Sequence, residues 1–256
     1  MSFATHAQKL RTIWLSDVHL GSRSCRVALL LDFLRCTRCE VLYLVGDIID
    51  LESLRSNFYW PASHTEVLQL LLKKSYEGTR VVYIPGNHDD ELRQFAGVKL
   101  GNIEVSREAI HTTVTGRRLL VLHGDQFDAV VRGRSIGVLL GALACRWLLA
   151  LNRWVHWLHD LAGRPYWSLA QHIKSRFGAA TRYLDRFQRA TLHAAREAGV
   201  DGVVCGHIHK ADLAELDGLL YCNDGDWVES CTALVEDQAG ALSLIEWRPA
   251  VAALAA

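Results

Sequence analysis

Five short apolar runs in this chain each end in side chains able to hold a metal ion. Asp17 and His19 follow TIWLS (12–16), Asp47 follows VLYLV (41–45), and Asn87 with His88 follows VVYIP (81–85). His123 closes LLVLH (119–123), and His207 and His209 follow GVVCG (202–206). With His88 set aside, Asp17, His19, Asp47, Asn87, His123, His207 and His209 supply two carboxylates, one amide oxygen and four imidazoles. Seven donors exceed what one tetrahedral ion takes. They suit two divalent ions of the Mn, Fe, Co, Ni or Zn kind, with one carboxylate shared at the ~3.5–4 Å separation of two-metal sites. Such a pair lowers the pKa of a bridging water and clamps a phosphoryl oxygen, as in-line hydrolysis of a phosphate ester requires. His88, an imidazole titrating near neutrality beside Asn87, can reach a leaving group that the ions do not hold.

The five runs are rich in Val, Ile and Leu and apolar on both faces, the pattern of buried strands. Helical segments at 26–35 and 65–74 separate the first three, the second with Ser63 and Glu66 in capping-box spacing. Strands alternating with helices predict a mainly parallel α/β sheet, whose ligand crevice lies at the carboxyl ends of the strands. LLYCN, CTALVE and LSLIEW near the C-terminus carry tight turns between them and predict an antiparallel meander. From 129 to 190 the alternation stops, and helix-compatible sequence holding four of the eight tryptophans intervenes. The chain therefore reads as one domain over 1–256, with a helical lid inserted at 129–190. The apolar run inside it is too short to span a bilayer and contains Arg146.

Its 256 residues suffice for a large core, and half of them are hydrophobic, which excludes intrinsic disorder. The 28 basic residues balance 28 acidic ones. That balance, with no basic aromatic-stacking strand outside the insertion, argues against a nucleic-acid partner. The neutrality is a cancellation: 129–190 holds ten basic and two acidic residues, a local charge of +8 against −8 elsewhere. Anionic lipid headgroups are attracted to such a cationic, Trp-rich segment. Seven cysteines without paired spacing, behind an N-terminus lacking an apolar signal segment, read as reduced cytosolic thiols. Cys36 and Cys39 form a lone CxxC, which lacks the second half of a closed zinc site.

The blocks D-x-H (Asp17, His19), G-D (Gly46, Asp47), G-N-H-D (Gly86 to Asp89), H-G-D (His123 to Asp125) and G-H-x-H (Gly206 to His209) stand in an order that resembles the calcineurin-like metallophosphoesterases. The resemblance implies an α/β sandwich of two mixed β-sheets flanked by helices. It also implies that Asp17, His19, Asp47 and His209 hold one metal, and that Asp47, Asn87, His123 and His207 hold the other. Asp47 would bridge, manganese being the first choice of ion. His88 would face the phosphate and stabilise or protonate the leaving oxygen, and Asp89 would orient His88.

Longer stretches, among them GDIIDLESL, FYWPASH, YIPGNHDDELR and NDGDWVESCTALVE, look like the UDP-2,3-diacylglucosamine diphosphatase branch. That likeness implies cleavage of the pyrophosphate of a UDP-linked, doubly acylated sugar in lipid A synthesis, releasing UMP and a lipid monophosphate. A nucleotide-linked lipid needs an apolar groove beside a polar site, which the insertion fits. It also implies a cytoplasmic protein, peripheral on the inner membrane through 129–190. The branch carries Arg after the metal-ligand Asn, where this chain has His88. For substrate contacts the candidates are Asp125, Asp128, Arg132, Tyr166 and Lys174, with Arg134, Trp167 and Arg176 beside them, and Asp226 as support from a loop. The alternatives are a phosphodiesterase or phosphatase for soluble nucleotides, sugar phosphates or phospholipid headgroups, and a non-catalytic scaffold with the same fold.

Overall fold

The computed structural model describes residues 8–128, 131 and 178–248. The chain divides into two units, Met1–Asp125 with Thr191–Ala256, and Gln126–Ala190. The first unit carries two mixed β-sheets. One has seven strands in the order β12-β11-β1-β2-β3-β5-β4, and the other has five in the order β6-β7-β8-β10-β9. At the centre of the larger sheet, β1 (Gln8–Leu15), β2 (Thr37–Val45) and β3 (Arg80–Ile84) run parallel, and β5 (Ile103–Val105) continues that direction. The edges are antiparallel: β4 (Lys99–Leu100) on one side, β11 (Thr232–Glu236) and β12 (Leu242–Glu246) on the other. In the smaller sheet β7 (Arg118–Val121), β8 (Gly202–Cys205) and β10 (Leu219–Asn223) are parallel, with β6 (Ala109–Thr112) and β9 (Asp212–Leu216) antiparallel at the edges.

Two apolar layers follow. One is the filling of the sandwich, where Trp14, Tyr43, Val45, Val82 and Ile84 of the larger sheet meet Leu119, Val121, Val204, Leu220 and Cys222 of the smaller. The other covers the opposite face of the larger sheet. There α1 (Val27–Cys36) turns Leu30, Leu31 and Leu34 inward, at the i, i+1, i+4 spacing of one helix face. Beside it α3 (Ala62–Tyr76) buries Val67 and Leu71. Each such side chain adds about 1.5–3 kcal/mol by leaving water. Because β1 is apolar on both faces, it can only be central, and its last four residues are all buried.

Two local expectations fail. The Ser63/Glu66 capping box does not form, because α3 starts earlier, with Pro61 as its N-cap and Ser63 already inside the helix; Glu66 pairs with Arg35 instead. The C-terminal meander is split: β10 joins the smaller sheet, and the segment 224–231 carries the chain across to β11 in the larger. Cys36 and Cys39 are free thiols, and burial pushes Cys39 up to about 11, so it is not a thiolate at neutral pH. Among the described residues no helix is long and apolar enough to cross a membrane.

Candidate metal centre

The parallel strands of both sheets deliver their carboxyl ends to one place. Past β1 and β2 the backbones stay paired, with the N–H of Asp17 donating to Gly46 O at 3.0 Å and that of His19 to Asp47 O at 2.9 Å. Past β7 and β8, the N–H of Gly206 donates to His123 O at 3.1 Å. The chain then turns sharply. Asp17, His19, Asp47, His207 and His209 all adopt left-handed backbones, with φ of 50, 54, 54, 67 and 53°. Such conformations are sparsely populated outside glycine and gather at functional sites. Gly86 makes room: a Cβ on it would lie 2.3 Å from Asp47 Oδ1 and 2.7 Å from His123 Nε2.

Three triplets of donor atoms result, each within 4.8 Å of one another: Asp17, His19 and His209; Asp47, His123 and His207; and His19, Asp47 and His88. Asp47 stands between the first two. Its Oδ2 is 4.0 Å from His19 Nε2 and 3.4 Å from His123 Nε2, while its Oδ1 accepts the His88 N–H at 2.8 Å. Asp17 Oδ1 lies 3.1 Å from His209 Nε2. The imidazoles are turned from behind. His123 Nδ1 donates to Val45 O at 2.8 Å, and His19 Nδ1 lies 3.5 Å from Asp50 Oδ2, which leaves Nε2 of each facing the cluster. Asp17 Oδ1, His19 Nε2 and His123 Nε2 are buried and lack any hydrogen-bond partner. Unpaired polar atoms cost about 1–3 kcal/mol each when buried, and divalent cations would satisfy all three together.

The charges agree. Burial alone would lower the His123 imidazole, but Asp47 beside it, with Asp17 and Asp125, carries it up to about 10. Burial opposes ionisation of Asp17 and Asp47, and the surrounding imidazoles, His209 and His123 foremost, still hold both carboxyls below their usual range. The cluster is thus built to surround positive charge, and cation uptake would displace protons from its imidazoles. Asn87 is exposed and lines a 370 Å³ cavity with His88, Glu52, Arg55, Ser56, Asp90 and Glu91.

Several other expected roles shift. Asp89 was expected to orient His88, but none of its bonds goes there. Fully buried, it accepts from the N–H groups of Gly86 (2.6 Å) and Ile48 (2.9 Å) and from the Tyr83 hydroxyl (2.6 Å), so it braces the loop carrying Asp47. Asp50 takes that place: its Oδ1 is 3.1 Å from His88 Nδ1, and its carboxylate caps α2 (Leu51–Ser56) through Ser53. The hydrogen bond His88 donates to Asp50 is the largest influence on it and raises its pKa against the effect of burial. The signal for Asp50 was its N-cap spacing, three residues before Ser53.

Asp125 is occupied by Arg93, whose Nη2 lies 2.7 Å from both carboxylate oxygens. Within the second unit, Asp128 accepts from the Tyr183 hydroxyl at 2.8 Å. Asp226 accepts from the N–H groups of Val228 and Ser230 and shapes its own turn. Arg132, Tyr166 and Lys174, with Arg134, Trp167, Arg176 and the apolar stretch 136–158, lie outside the described residues.

The chain is 27% identical over 244 residues to the UDP-2,3-diacylglucosamine hydrolase of Porphyromonas gingivalis (strain ATCC BAA-308 / W83), covering 83% of this chain and 88% of that protein. It is 22% identical over 239 residues to the protein of the same name from Neisseria meningitidis serogroup B, covering 84% and 88%. Among solved structures it is similar to YfcE, a phosphoesterase from E. coli, with a TM-score of 0.45 and 14% identity over 93% of this chain and 99% of that one. The calcineurin-like phosphoesterase profile matches residues 10–211, a span that holds every candidate metal ligand. This chain therefore belongs to the calcineurin-like phosphoesterases and is a metal-dependent hydrolase of phosphoesters.

Proposed function

We propose that the protein is a two-metal diphosphatase acting on a nucleotide-linked, doubly acylated sugar such as UDP-2,3-diacylglucosamine, releasing UMP and a lipid monophosphate. The observation that carries the metal reading is the single carboxylate oxygen, Asp47 Oδ2, flanked by His19 Nε2 and His123 Nε2. Asp17, His19, Asp47 and His209 hold one ion. Asp47, Asn87, His123 and His207 hold the other, with manganese the first candidate for both. When bound, the ions supply Lewis acidity and an activated water.

The remaining chemistry belongs to the chain. His88 donates Nδ1–H to Asp50, which leaves Nε2 to carry the proton for a leaving oxygen; the bond to Asp50 keeps that proton on the ring at higher pH. Asp89 holds the 47–49 backbone rigid, so Asp47 need not reorganise during turnover. The inserted segment 129–190 acts as a lid that takes the acyl chains and rests on the cytoplasmic face of a membrane; its +8 charge supports this reading.

The substrate class rests on the two similar hydrolases, which align over most of their length. Hydrolysis of UDP-diacylglucosamine beside UDP-sugar and nucleotide controls, with product identification, tests it. UMP formation that falls as the acyl chains are shortened is expected. Equal turnover of the soluble controls favours the second reading, a phosphodiesterase for soluble nucleotides, which His88 in place of the branch's Arg supports.

A further inference from the structure

Beneath Asp17 lies another carboxyl group, Asp224, at the end of β10. It is fully buried, as are Ser16 and Asp17. Ser16 links them: its Oγ stands 2.6 Å from Asp17 Oδ2, 2.6 Å from Asp224 Oδ1 and 3.1 Å from Gly225 O. The Asp224 backbone is fixed on both sides, its N–H donating to Cys205 O at 3.1 Å and its carbonyl accepting the Thr232 hydroxyl at 2.8 Å. Gly206, in the G-H-x-H block, leaves space for this contact. A Cβ there would lie 2.3 Å from Ser16 Oγ and 2.6 Å from Asp17 Oδ2.

The protons decide how the three groups are joined. A serine hydroxyl carries one. Two carboxyl oxygens at 2.6 Å from one hydroxyl oxygen need two protons between them, so one carboxyl must bring its own. Asp17 does not: its Oδ2 accepts the His207 N–H at 2.8 Å, and its Oδ1 faces His209 Nε2 at 3.1 Å and His19 Nε2 at 3.9 Å. Asp224 Oδ2 is likewise buried with no hydrogen-bond partner, and among the described residues no imidazole pairs with it as His209 and His19 pair with Asp17 Oδ1. That is tolerable for the carbonyl oxygen of a neutral acid and costly for an anion.

We infer that Asp224 is a positioning residue: as a neutral acid it donates to Ser16 Oγ, whose hydroxyl donates to Asp17 Oδ2 and fixes the plane in which Asp17 Oδ1 meets a cation. This rests on Asp17 being a metal ligand. D224N keeps a neutral group with a donor, whereas D224A and S16A break the relay. Mn²⁺ titration of the full-length, metal-stripped protein, read by the EPR signal of free Mn²⁺, measures affinity. Thermal unfolding in EDTA identifies any variant that has lost its fold, and turnover of a chromogenic phosphodiester separates kcat from KM.

Mn²⁺ affinity and kcat are expected to fall about 10–100-fold in S16A and D224A, with KM little changed, the effect typical of groups that orient metal ligands. D224N should recover most of the loss. Wild-type affinity in S16A and D224A alongside lost affinity in D17N would overturn the relay and leave the ligand reading intact. Wild-type affinity in D17N itself would remove the ligand reading and the relay with it. D224N as impaired as D224A would show that the neutral donor is the wrong assignment. S16A removes a single oxygen, so it decides the matter even where D224A does not fold.

Discussion

Asp50 Oδ1 sits 3.1 Å from Nδ1 of His88, and the same carboxylate caps the helix whose residues line the cavity beside His88. One group thus fixes an imidazole, a helix start and, through its other oxygen 3.5 Å away, the ring of His19.

D50N weakens the hold on His88 without removing a ligand. Turnover should fall roughly 10–100-fold, and because the same carboxylate also turns the His19 ring, bound metal per chain, read by plasma mass spectrometry, should fall with it. The bond to Asp50 raises His88; on the proposed role, in which His88 acts in its protonated form, activity is lost as pH rises through its pKa. Removing the partner lowers that pKa, and the alkaline limb of the kcat profile should move to lower pH. A limb that stays in place would dissociate His88 from it. H88A should retain the metal and lose roughly 10²–10⁴ in kcat, as expected for a general acid.

Asp47 lies between both imidazole sets, so D47A should lose both ions together rather than one. Metal analysis of the dialysed variant is expected to find far less than one ion per chain, with no detectable hydrolysis. Retention of one full equivalent would mean that the carboxylate is not shared.

Arg93 ties Asp125, just past His123, to Pro85 O, just before Gly86, with its Nη2 3.2 Å from that carbonyl. It therefore braces the loops carrying His123 and Asn87. The pair is partly solvated, which discounts its electrostatic worth. R93A should cost about 1–2 kcal/mol, or about 2–6 °C in Tm. R93K should not fully restore it, because an ammonium lacks the Nε–H that also reaches Pro85 O. Differential scanning calorimetry of the three proteins checks this.

His64 is buried, and its Nδ1 accepts the Gly21 N–H at 2.9 Å, which only the neutral ring can do. Burial lowers its pKa below 6.5. The unfolded chain therefore takes up this proton first, and the stability the neutral ring provides is lost as pH falls below about 6.5. At pH 7.5 H64N should melt below wild type, and the gap should narrow by pH 5.5. A gap independent of pH would mean that His64 does not titrate in this window.

Most of the candidate metal cluster was legible because its residues sit at the ends of apolar runs, and strand ends are local features of a sequence. The groups behind it were not. Ser16 and Asp224 are 208 positions apart, His88 and Asp50 38 apart, and nothing in local periodicity links them. Asp125 and Asp128 looked available for substrate because a sequence does not reveal that Arg93 and Tyr183 already occupy them. The strands were legible from composition, but the sheet each C-terminal strand joins was not. The segment 224–231 that carries the chain between sheets has no periodicity of its own.

The five left-handed candidate ligand positions set this protein's needs against one another. Each carries a side chain where the backbone alone would favour glycine, a burden of order 1 kcal/mol or more per residue. Selection for heat resistance alone, with no requirement for turnover, should therefore press toward glycine at these positions against whatever their side chains contribute to the fold. The residues proposed to make this chain an enzyme thus sit where a chain that only had to stay folded would favour glycine.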